Sequence, residues 1–96
     1  MGNRGIIMKV KFFAYLREYT KTKEVDINGC STILELLNML SEKYGKSLKS
    51  KLFINGELSN EIIILVNGRH IVHLNGINTE IKENDEISIF PVVAGG

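Results

Sequence analysis

Tryptophan is absent from this 96-residue chain, and proline and cysteine each occur once. A single cysteine excludes an internal disulfide, so the core alone must hold the fold. It also fits a reducing, cytoplasmic setting. No apolar run exceeds the one from Ile62 to Val66, far short of the roughly 20 residues a membrane-spanning helix needs. The opening MGNRGIIMKVKFF has neither the apolar stretch nor the small-residue cleavage site of a signal peptide. Ile6 stands where a myristoylation motif needs Ser or Thr.

Chemical motifs are equally sparse. No glycine-rich loop follows a strand and opens a helix, so dinucleotide and P-loop mechanisms have no place. His70 and His73 are close together, but Cys30 is forty residues from His70, which is not the close spacing of a structural zinc site. His70 reads as a surface or edge residue. Cys30 reads as an ordinary residue ahead of a helix, although a helix N-terminus can stabilise a thiolate. Asn84, Asp85 and Glu86 read as a turn rather than a pair of catalytic carboxylates. The chain does not look like a self-sufficient enzyme.

The length allows one domain, and a hydrophobic content of 44% supports one modest core. Twelve basic groups nearly balance eleven acidic ones. The balance hides an asymmetry: residues 1–51 hold ten basic and five acidic groups, and residues 52–96 hold two and six. The basic excess suits either a dispersed solvated face or an acidic protein partner. It is scattered, and nothing resembles a nucleic-acid recognition motif.

Periodicity defines the elements. Met8, Val10 and Phe12 alternate with Lys9 and Lys11 as on a strand. A polar TKTK turn leads to Val25 and Ile27, giving an N-terminal hairpin. Ile33, Leu36, Leu37, Leu40 and Tyr44 then form one stripe of an α-helix. Thr32 and Glu35 suit a capping box, and Gly45 a stop. Leu48, Leu52 and Phe53 are expected in a short turn beneath the sheet. The run from Ile62 to Val66 is apolar on both faces and ends at Asn67-Gly68, a strong hairpin signal. Ile71 and Val72 are expected to begin the returning strand. In the last strand Ile87 and Ile89 point one way, Ser88 and Phe90 the other. Pro91, which lacks a backbone donor, is expected to end regular pairing.

One helix must bury its stripe on one sheet face. The order therefore predicts an α+β, β-grasp fold: a mixed sheet of four to five strands with one main helix across it. The first and last strands should be parallel neighbours at the centre. The expected organisation is a flexible N-terminal extension over 1–7, the β-grasp domain over 8–91, and a flexible C-terminal tail over 92–96.

The chain ends IFPVVAGG. Glycine is a poor residue with which to finish a core. If extended, residues 91–96 span roughly 20 Å, and Ala94, Gly95 and Gly96 add almost no width. Such a strip suits a narrow channel in a partner. The one distinctive group at its end is the Gly96 carboxylate. Adenylation would remove the charge that opposes nucleophilic attack and install a leaving group. Sulfur would then give a thiocarboxylate, and an amine an isopeptide link. An inert tail is the alternative. Phe90 should face away from the helix, together with either Ile63 and Leu65 or Ile62, Ile64 and Val66. A sheet covered on one side should not expose so much apolar area on the other. A partner, a homodimer, or wrapping by residues 46–60 would cover it.

MKVKFFAYLREYT at the start, VNG at 66–68, and KENDEISIFPVVAGG at the end resemble the MoaD family, the small subunits of molybdopterin synthase. The likeness runs from Met8 to Gly96. The thiamine sulfur carrier ThiS and ubiquitin share that family's fold and terminal diglycine. The resemblance implies a sulfur carrier of molybdenum cofactor biosynthesis. An ATP-using, MoeB-like enzyme would adenylate Gly96, and a sulfur donor protein would convert it to the thiocarboxylate. A MoaE-like large subunit would then admit the tail and pass sulfur to the pterin dithiolene precursor. No tightly bound cofactor is implied. Gly95 and Gly96 would be the reactive end and Val92, Val93 and Ala94 the threaded strip. Phe90, Ile63, Leu65 and Arg17 would make the partner surface. Val92 stands where the family often has a second proline. Three alternatives remain open: a ubiquitin-like modifier that forms isopeptide bonds through Gly96, a thiamine-pathway carrier, and a non-catalytic β-grasp binding module.

Overall fold

The computed structural model describes residues 7–92. Strand β1 (Ile7–Phe12) buries Met8, Val10 and Phe12 and turns Lys9 and Lys11 outward. The strand therefore includes Ile7, which pairs with Asn28, so the boundary expected after residue 7 falls before it. Helix α1 (Leu16–Thr20) follows, with Lys21 at φ 62° closing it. Strand β2 (Glu24–Asn28) pairs antiparallel with β1. The predicted hairpin thus exists, but a helical turn occupies its connection because Leu16 finds room in the core.

Helix α2 (Ile33–Tyr44) is the principal helix. Ile33, Leu36, Leu37 and Leu40 are fully buried, each stabilising the fold by about 1.5–3 kcal/mol relative to exposure. Tyr44 extends the stripe and meets Phe12 edge to face at 5.8 Å. At the start, Glu35 N–H donates to Thr32 Oγ1 at 3.2 Å. The reciprocal bond is displaced by one residue: Ser31 N–H donates to the Glu35 carboxylate at 2.7 Å, and Ser31 Oγ at 3.1 Å. These bonds hold the Glu35 carboxyl below its ordinary value.

Gly45, at φ 94° and ψ −175°, ends α2 and opens helix α3 (Lys46–Leu52). Strands β3 (Phe53–Ile54) and β4 (Glu57–Leu58) form a small separate hairpin. Residues 46–60 are therefore not a short turn beneath the sheet. Leu48 and Leu52, one helical repeat apart, enter the same core as the α2 stripe. This segment packs with the helices and does not wrap the free sheet face.

Strand β5 (Ile62–Val66) turns through Asn67 and Gly68, at φ 52° and 86°, into β6 (Arg69–His70). Two positive φ values in succession are what a type I′ hairpin requires. The returning strand is thus Arg69-His70. Ile71 and Val72 instead belong to a 3₁₀ turn over Ile71–His73, with Ile71 buried. A second 3₁₀ turn covers Gly76–Asn78, and strand β7 (Glu86–Pro91) ends the sheet.

The sheet order is β2-β1-β7-β5-β6. Strands β1 and β7 are parallel neighbours at its centre, and β7 is antiparallel to β5. This is the β-grasp arrangement, with α2 across one face and two shorter helices beside it.

Candidate functional site

The register of β7 is set at its beginning. Asn67 Nδ2 donates to Asp85 Oδ1, and Glu86 N–H donates to Asn67 Oδ1, both at 2.9 Å. Lys82 N–H donates to Asp85 Oδ2 at 2.7 Å. The β5–β6 turn is thereby stitched to the start of the last strand. From that point alternation decides each side chain. Ile87 and Ile89 are buried under α2, while Ser88 and Phe90 turn to the helix-free face.

On that face Ile63 is the direct cross-strand partner of Phe90, and Leu65 that of Ser88. Ile62, Ile64 and Val66 go to the core. Of the two sets the sequence left open, Ile63 and Leu65 are therefore the pair beside Phe90. The sequence reading missed a further member. Phe13 lies flat against Phe90, with ring centroids 4.2 Å apart and planes 9° from parallel. Its place was legible in principle, because Lys9 and Lys11 already mark the outward parity of β1.

Arg17 is brought to the same corner by α1. Its Nε donates to the Phe12 carbonyl at 2.8 Å, and its guanidinium carbon lies 5.6 Å from the Phe13 ring centre. That is within the range of a cation–π contact. Arg17 thus clamps Phe13, and Phe13 supports Phe90. Toward the other end of the face Lys11 pairs with Glu86 at 2.8 Å. The hydrogen bond and charge of Glu86 raise the Lys11 pKa.

Beyond Phe90, Pro91 is buried and still opposite Ile62. Pairing does not stop there: Val92 N–H donates to the Glu61 carbonyl at 2.7 Å. The proline removes its own donor, not that of the next residue. The Val92 side chain is exposed. Val93, Ala94, Gly95 and Gly96 lie outside the described residues, as do residues 1–6.

The remaining candidates sit elsewhere. Cys30 is buried, and burial, with the nearby Glu35 charge, raises its thiol pKa. That opposes a reactive thiolate. His70 occupies the edge strand β6 and is partly exposed. Its Nδ1 accepts a bond from Val72 N–H at 3.1 Å, and its ring lies 6.1 Å from that of His73. Among the described residues no group of three or more His, Cys, Asp and Glu is placed to hold a metal ion. The face thus carries an apolar patch of Phe13, Ile63, Leu65 and Phe90, rimmed by Arg17 and the Lys11–Glu86 pair, with Val92 at its edge.

The ThiS family model matches residues 10–96. Small archaeal modifier protein 3 of Haloferax volcanii is 34% identical over 91 residues, covering 93% of this chain and 98% of that protein. The solution structure of small archaeal modifier protein 1 from Methanosarcina acetivorans is 39% identical with a TM-score of 0.84. That match covers 98% of this chain and all of the other. A chain in the crystal structure of the Amycolatopsis orientalis BexX/CysO complex is 29% identical, with a TM-score of 0.82, over 93% of this chain and 99% of that one.

Proposed function

This chain belongs to the ThiS family of ubiquitin-like sulfur carriers, and from that premise we propose that it works as a carrier and protein modifier through Gly96. One observation weighs most. The family match is continuous to residue 96, so it takes in the diglycine, and proteins named as modifiers resemble the chain over nearly its whole length.

An ATP-using partner docks on Phe13, Phe90, Ile63 and Leu65 and receives the segment beyond Val92. The Gly96 carboxylate attacks the α-phosphorus of ATP, forming the acyl adenylate and releasing pyrophosphate. Hydrosulfide then displaces AMP and leaves a thiocarboxylate, or a lysine amine displaces it and leaves an isopeptide. Glycine has no side chain to hinder either attack. Val93 and Ala94 form the narrow strip that reaches the partner's active site, Val92 is its root, held to Glu61, and Arg17 holds the docking corner in shape.

The modifier reading ranks above a dedicated role as molybdopterin synthase small subunit. The second reading keeps one specific support: the MKVKFFAYLREYT opening and the Phe90-Pro91 ending resemble that subunit. In it the thiocarboxylate passes its sulfur to a pterin precursor held by a MoaE-like partner. Mass analysis of the chain from its own cells separates the products. Exchange of one oxygen for sulfur marks the carrier, and a Gly-Gly remnant on lysines of other proteins marks the modifier. Finding neither, under conditions where relatives are loaded, overturns the proposal.

A further inference from the structure

Residues 43–56 carry Lys43, Lys46, Lys49 and Lys51 and no acidic residue. The structure sorts these lysines into two kinds. Lys43 lies over the ring of Tyr44 at 5.7 Å. Lys51 lies 5.9 Å from the ring centres of both Tyr15 and Tyr19. Lys46 and Lys49, one helical turn apart on α3, are exposed. Among the described residues the ion pairs are Lys9–Glu24 and Lys11–Glu86, so Lys46 and Lys49 are not ion-paired there, and the one carboxylate sharing a groove with them is that of Glu42, in the adjoining depression.

These two ammonium groups flank an open groove of about 630 Å³ between α2 and the α3–β3 segment. Leu34 and Phe53 provide its apolar part, and Asn38 and Ser50 add polar groups. None of the residues that form it belongs to the docking face around Phe90. Leu34 and Asn38 are on α2, so the groove is in the helical layer, and the sheet separates it from the Phe90 face.

We propose that this groove is a second docking site, which binds an acidic segment of a protein partner. Carboxylates meet Lys46 and Lys49, and an apolar side chain rests on Leu34 and Phe53. Charge complementarity selects the partner's sign, since the described residues put only Glu42 in the adjoining groove beside Lys46 and Lys49 and neither lysine is held in an ion pair among them. The apolar floor selects a polypeptide over a nucleic-acid backbone, which presents phosphates without an aliphatic anchor. Lying on the opposite side of the sheet, the groove stays open while the Phe90 face is covered. The inference does not depend on the chemistry of Gly96.

The test is an NMR titration of the full chain with three probes: a peptide of Glu-Glu-Leu repeats, its Gln-Gln-Leu counterpart, and a dT12 oligonucleotide. The acidic peptide is expected to shift the amides of Leu34, Asn38, Lys46, Lys49, Ser50 and Phe53 and to leave Phe90 unmoved. Raising salt should weaken it. Binding should fall at least about tenfold in K46E/K49E and to a lesser degree in K46Q/K49Q, which controls for any misfolding by charge reversal. Glutamate suits the helix dipole at Lys46, which opens α3, and opposes it at Lys49 in the last turn, so K46Q/K49Q, which reverses no charge, is the variant expected to keep its circular dichroism. Equal binding of the glutamine peptide, tighter binding of dT12 in the groove, shifts confined to the Phe90 face, self-association through the groove, or no binding overturns the proposal.

Discussion

Phe90 owes its position to two neighbours of different kinds: a cross-strand partner, Ile63, and a stacked ring, Phe13. Replacing Phe13 with alanine removes the stack and the surface for Arg17, at a cost of about 1–2 kcal/mol in urea denaturation. Under the proposed function, adenylation by the activating partner should weaken in parallel, through KM more than kcat, as pyrophosphate exchange will read. Glu35 makes a different prediction. Bonds from Ser31 hold its carboxyl below the ordinary glutamate value. Its stabilising effect is therefore complete above that ordinary value and is lost as pH falls through the lower, folded one. E35Q should be less stable than the parent chain at neutral pH, with the gap closing in acid. Stability measured in steps down through the glutamate range checks this, and a gap constant with pH refutes it.

Helix α2 holds the sheet, and two substitutions probe how. Leu37→Ala should cost about 2–5 kcal/mol by leaving a cavity under the strands. Gly45→Ala meets no atom within 4 Å of the added Cβ, so its cost is torsional: about 1–3 kcal/mol for a backbone region reserved to glycine. Thermal melts will rank the two. The same elements explain what the sequence could reveal. Helix α2 was legible because its apolar stripe repeats over three turns. Helices α1 and α3, and the hairpin β3–β4, were not. A helix of five or seven residues has no stability of its own and exists through tertiary packing, here of Leu16, Leu48 and Leu52. The shift of β6 to Arg69-His70 has a similar origin. The tight turn at Asn67-Gly68 brings the chain straight back, and Ile71 then leaves the edge to bury itself.

At the scale of the whole molecule, the strand order followed from one helix needing one sheet face, and the outward parity of Phe90 followed from Ile87 and Ile89. Which of the two proposed fates Gly96 meets was not legible, since sulfur transfer and conjugation ask the same thing of the chain. Deleting Gly96 should abolish both while leaving the melting temperature unchanged, since a terminal residue buries little; loss of fold in that variant would contradict it. The bond from Val92 to Glu61 adds a geometric limit. It carries the strand pairing one residue past the proline, and Gly96, the reactive end proposed above, is four residues further on. Fully stretched, they measure at most about 14 Å. The chain is thus a ruler with its zero mark at Val92. A catalytic chamber deeper than that is out of reach unless its owner first peels the last rung from β5.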